Sequence, residues 1–136
     1  MTTGETEMPN EGNDLKLLTE RMMAAPFVVI RHVNARDPDA IRRLLPDHFA
    51  YLIELERRGV LFGSGPVAGP EVPPYEGLTI LQGVDLSEAQ ALWCDEPFFK
   101  AGLRDAHFAI WTLNEGALRI RLSLSTATAS LPGVSS

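Results

Sequence analysis

Apolar residues along this chain follow two rhythms, and each change of rhythm marks an element boundary. Pro26–Asn34 (PFVVIRHVN) is rich in β-branched residues and reads as a central strand. Arg36-Asp37-Pro38-Asp39 makes a turn, from which Asp39 is placed to cap a helical turn over Ala40–Leu45. Pro46 has no backbone N–H to donate, so the main helix is expected to restart there, with proline in its first turn. Beyond it Phe49, Leu52, Ile53 and Leu55 recur at helical spacing and predict the buried stripe. Gly59 is the expected C-cap, with Arg57 and Arg58 at the negative end of the helix dipole.

Val60–Ser64 reads as a short second strand, leaving through Gly63-Ser64-Gly65-Pro66. Four prolines, at 66, 70, 73 and 74, make Pro66–Glu76 an extended loop. Gly77–Val84 is a third strand, after which Asp85 or Ser87 caps a helix with Leu86, Ala89, Leu92 and Trp93 inward. That helix ends near Pro97, because the residue before proline disfavours helical geometry. Phe98–Gly102 is a turn or short helix, and Leu103–Leu113 a fourth strand. Asn114-Glu115-Gly116 reads as a hairpin turn into a fifth, half-exposed strand, where Ile120, Leu122 and Leu124 alternate with polar residues.

The polar, acidic residues 1–13 read as a disordered leader, and Asn13 or Asp14 caps a short helix with Leu15, Leu18 and Met22 on one face. The expected organisation is therefore residues 1–25 as leader and short helix, 26–126 as the folded domain, and 127–136 as a frayed tail. Strand, helix, strand, strand, helix, strand predicts an α+β fold: a ferredoxin-like βαββαβ antiparallel sheet with both helices on one face, plus an appended C-terminal strand. The uncovered sheet face would carry apolar side chains, so a homodimer through that face is expected.

A length of 136 residues with 45% hydrophobic content suits one compact domain with a real core. A net charge of −6 argues against a phosphate-binding surface, so no nucleic-acid partner is expected. No apolar run is long enough to span a membrane, and the acidic N-terminus is unlike a secretory signal. A single cysteine, Cys94, fits a reducing compartment, and a cytoplasmic location is expected.

The candidate chemistry is sparse. His48, placed in the first turn of its helix, carries an imidazole, the side chain suited to taking and returning a proton; a helix N-terminus would favour its neutral form. The bland reading is a hydrogen-bonded histidine at the edge of the apolar stripe. Asp95 and Glu96 end a helix, where the dipole disfavours acids, so they either orient an imidazole or form a solvated helix end. Ser64 and Gly65 lie where backbone N–H groups could approach a ligand, although a tight strand exit explains them equally. Tyr51, Phe98 and the other aromatics are core or cleft wall, suited to a flat ring. Cys94 reads as a small buried residue, and His32 and His107 as structural histidines meeting across the sheet, too few to hold a metal. No cofactor and no metal are expected.

The series His48-Phe49-Ala50-Tyr51-Leu52, Gly59-Val60-Leu61, Gly65-Pro66, Gly77-Leu78-Thr79-Ile80, Leu92–Leu103 (LWCDEPFFKAGL) and Trp111–Gly116 (WTLNEG) resembles the YciI-like (YCII-related) family of dimeric α+β barrel proteins. The likeness covers roughly residues 26–125. It implies dimerisation through the sheets and a cleft with a histidine and an acidic partner. One group of members is similar to lyases that remove chloride from a chlorinated hydroxyhydroquinone. Members commonly place aspartate before the proline of LWCDEPFFKAGL; here Glu96 stands there, ahead of Asp95 as the candidate partner. Some carry an arginine one turn before the histidine, where this chain has Leu45. With the resemblance, the expectation is a cofactor-independent lyase or isomerase: His48 moves a proton, Glu96 or Asp95 holds it, and Ser64, Gly65, Tyr51 and Phe98 contact a small aromatic or enolisable substrate. The alternative is a non-catalytic metabolite-binding or regulatory dimer.

Overall fold

The computed structural model describes residues 11–133, so the expectations for the first ten residues and the last three lie outside the described residues. In chain order, α1 (Glu11–Glu20) is followed by β1 (Ala25–Val33), α2 (Pro38–Arg57), β2 (Leu61–Pro66), β3 (Gly77–Leu81), α3 (Leu86–Trp93), α4 (Pro97–Lys100), β4 (Asp105–Leu113), β5 (Arg121–Ser123) and β6 (Thr128–Ser130). Two compact units result: Ala24–Leu113, and the described parts of the two flanking segments.

The larger unit is a mixed α+β fold around a four-stranded sheet in the order β2-β3-β1-β4, every neighbouring pair antiparallel. The succession of elements is consistent with a ferredoxin-like fold. Val28 and Ile30 of β1 point to one side and are fully buried, with Leu81 of β3, against Leu52 and Leu55 of α2 and Ala89 and Trp93 of α3. Both helices therefore cover the same face. The other face presents Phe27, which meets Phe62 edge-on at 4.8 Å and lies 5.8 Å from Trp111.

Two expectations about α2 are corrected. The helix does not restart at Pro46; it runs unbroken from Pro38, with Pro46 inside it. Asp37, not Asp39, is the cap, its carboxylate accepting from the Ala40 N–H, and Pro38 takes the first-turn position that suits proline. The buried stripe is also rotated from the expected one. Ile41, His48, Leu52 and Leu55 are buried, whereas Phe49 and Ile53 are about half exposed. The added upstream turns pull Ile41 inward and carry the stripe round to include His48. An interior proline leaves the Arg42 carbonyl without its helical donor and costs a helix up to about 3 kcal/mol. Pro46→Ala is accordingly expected to stabilise the fold by roughly 1–3 kcal/mol, read from urea midpoints at unchanged m-value.

α3 opens with a capping box: the Asp85 carboxylate accepts from the Glu88 N–H, and the Glu88 carboxylate accepts from the Asp85 N–H. The appended C-terminal strand is corrected as well. β5 is only three residues long, stays out of the four-stranded sheet, and pairs with β6. Its partner Thr128–Ser130 lies in the stretch expected to fray; Leu122 and Leu124 are exposed, so apolar alternation there does not mark a core. In this smaller unit the Met23 N–H donates to the Asn114 carbonyl at 3.2 Å.

Candidate functional site

Proline dictates the local structure at the acid. Pro97 opens α4, and Glu96 before it takes the extended N-cap conformation, its Oε2 accepting from the Phe99 N–H at 2.8 Å. That capping bond holds the carboxylate, and its other oxygen, Oε1, accepts from His48 Nδ1 of α2 at 2.6 Å. Glu96 is completely buried and His48 nearly so. Burial pushes the Glu96 carboxyl up, but the bonds from His48 and from the Phe99 N–H outweigh it and leave it below the usual carboxylate range. With Nδ1 donating to the carboxylate, a neutral His48 carries its lone pair on Nε2.

Phe98 stacks on the His48 ring at 4.4 Å and 20°, and the Arg104 guanidinium carbon lies 4.7 Å from the Phe98 ring centre. These residues, with His32, Ser64 and Gly65, line a pocket of about 390 Å³. Its size suits a compact organic ligand, at the low end of ligand cavities. A second polar chain runs along the pocket wall: His32 Nε2 lies 2.8 Å from Thr79 Oγ1, which lies 2.9 Å from Ser64 Oγ. Burial, reinforced by the positive charge of Arg104, pushes His32 down to about 3, so this imidazole is neutral at physiological pH.

The structure places His48, Ser64, Gly65 and Phe98 around the pocket, with Glu96 bonded to His48 but not itself in the lining, and places neither Asp95 nor Tyr51 there. Asp95 is exposed, because successive side chains leaving a helix end diverge and its neighbour Glu96 takes the inward direction. The Tyr51 hydroxyl donates to the Leu92 carbonyl, tying α2 to α3 with the ring edge-on to Trp93 and away from the pocket. Cys94 is exposed, not buried. His32 and His107 do not meet: β1–β4 register pairs His32 with Ala106 and His107 with Arg31, which places the histidines on opposite faces. His48 stands at the eleventh residue of α2, so the expected first-turn dipole effect has no basis.

With the geometry in place, comparison with known proteins places the chain. The YCII-related domain model matches residues 25–111. The chain belongs to the YCII-related family. No curated protein matches its sequence. Among solved structures, this YCII-related protein is similar to 5-chloro-2-hydroxyhydroquinone dehydrochlorinase (TftG) from Burkholderia phenoliruptrix AC1100, in complex with 2,5-dihydroxybenzoquinone. Identity is 19% and the TM-score 0.49, over 65% of this chain and 95% of that one.

Sequence reasoning passed over Arg104 altogether. The available signal was alternation: Arg104 shares the inward phase of Ala106 and Phe108, where a cation is out of place. Among the described residues no group of three or more potential metal ligands converges, and no helix is long and apolar enough to cross a membrane.

Proposed function

We propose that this YCII-related protein is a small, cofactor-independent enzyme of the lyase or isomerase class, with His48 as its general acid/base. One observation carries the reading: a pocket-lining histidine whose Nδ1 lies 2.6 Å from a fully buried carboxylate. Glu96 fixes the tautomer and stabilises the imidazolium, and Nε2 accepts a proton from a compact, enolisable or aromatic substrate packed against Phe98. The proton is then returned at a neighbouring atom, completing an isomerisation, or the electron pair it leaves expels an anion, completing an elimination. Ser64, whose hydroxyl is held by Thr79, supports a substrate oxygen. The test is solvent deuterium exchange by NMR into a panel of enolisable ring compounds. Exchange by the wild-type protein that His48→Gln loses supports the enzyme; equal exchange by both proteins overturns it in favour of a metabolite-binding dimer.

We also propose that the uncovered sheet face pairs with a second copy. Phe27, Phe62 and Trp111 form an aromatic cluster there, with the latter two each around 40% exposed. Light scattering should give a mass about twice 14.9 kDa, and Trp111→Asp should halve it. A monomeric wild-type protein at micromolar concentration overturns the pairing.

A further inference from the structure

Arg104 has the wrong surroundings for a structural arginine. Its side chain belongs to a residue only 9% exposed, so the cation has been taken out of water. Among the described residues its side chain makes one hydrogen bond, Nη1 donating to the Tyr75 carbonyl at 3.2 Å. Nε and Nη2 are sealed from solvent without an acceptor, and among the described residues no carboxylate lies within ion-pair distance. Glu96, whose charge acts on Arg104, has both oxygens committed, to His48 and to the Phe99 N–H. A buried cation without a partner is strongly unfavourable, and folds keep one where something outside the chain completes it.

The pocket is adjacent. Arg104 lines it, and Gly77 beside it has no side chain; a Cβ there would stand 3.5 Å from Arg104 Nη1 and 3.5 Å from the His32 ring. The other titratable groups on that wall do not neutralise the guanidinium: His32 is uncharged, and Glu56 and Glu76 form no ion pair with it. Phe98 stacks on the His48 imidazole and carries the Arg104 guanidinium over its ring, while Phe49, half exposed in the pocket lining, gives a planar ring something to lie against.

We propose that the pocket recognises small planar compounds bearing an anionic oxygen, carboxylate or phenolate, and that Arg104 is the residue that selects the charge. In a low-dielectric wall a guanidinium acts on such an anion with little screening even without direct contact. The inference rests on the pocket being a ligand site, as proposed above, but does not require His48 to be the base.

The experiment is a calorimetric titration of the full chain with matched pairs: benzoate against benzamide, and 4-nitrophenolate against 4-nitroanisole. The anion of at least one pair should bind ten-fold or more tightly than its neutral partner, and which pair responds identifies the oxygen. Arg104→Met should bring that ratio to near one, and Arg104→Lys should keep part of it. Equal or absent binding of both members of both pairs by the wild-type protein overturns the proposal without recourse to any variant. A ratio unchanged in Arg104→Met overturns it too. Failure of the deuterium-exchange test with the anion preference intact would remove only the catalytic reading.

Discussion

Glu96→Gln is expected to lower proton-transfer turnover by about 10²–10⁴-fold, close to the loss from His48→Gln, while the protein stays folded. The reason lies in the two partners of the carboxylate. The Phe99 N–H requires an acceptor, so the carboxamide oxygen of glutamine takes the capping bond now made by Oε2. Its NH₂ then faces His48 Nδ1, where Oε1 sits today. That nitrogen must become the acceptor, and the imidazole proton moves to Nε2. The ring would present an N–H to the pocket where the mechanism requires a lone pair, and the negative charge that stabilises imidazolium would be gone. Glu96→Asp keeps the charge but shortens the reach, so it should retain more turnover than Glu96→Gln. Turnover equal to wild type in Glu96→Gln would sink the pairing as a catalytic device. Removing the carboxylate entirely, in Glu96→Ala, should instead cost stability by about 3–5 kcal/mol, because a buried hydrogen-bonded pair loses one member.

Much of the sheet could be read in advance because proline or glycine punctuates the chain near the strands, whereas the capping of α4 by Glu96 was not read from Glu96-Pro97. The harder features were those in which one local rule overrides another. Pro46 looked like a helix start, yet the Asp37-Pro38 start upstream together with the burial of Ile41 holds the helix through it. That single misreading moved His48 to a helix end and assigned it a dipole it does not feel. Ile120, Leu122 and Leu124 alternate as a half-buried strand should, but all three are exposed, and a period carries no information about what covers it. Arg104 was hidden for another reason. Its significance is the lack of a partner, and a missing partner is a property of three dimensions.

His32 should make the fold acid-sensitive well above the carboxylate range. Its folded pKa of about 3 lies below the 6.5 of an unperturbed histidine, for burial first and the neighbouring Arg104 charge second. Below pH 6.5 the unfolded chain therefore binds a proton that the folded chain refuses. The stability that His32 contributes is complete above that pH and drains away as the pH falls toward 3. Glu96 adds a similar loss, but only at lower pH, as its carboxyl is protonated below the ordinary carboxylate value of about 4.3. Between pH 7.5 and 4.5, His32 alone should cost on the order of 2–3 kcal/mol, two pH units at about 1.4 kcal/mol each. His32→Phe retains a ring to stack on Trp93, which now lies 5.2 Å from the imidazole centre, and has nothing to titrate. Its absolute stability will also reflect the lost bond to Thr79, so the informative quantity is the difference in unfolding free energy between the two pH values. That difference should shrink by most of the 2–3 kcal/mol in urea titrations of the variant. An undiminished pH dependence in His32→Phe would mean that the imidazole accepts a proton in the folded protein, and the neutral wall opposite Arg104 would no longer hold.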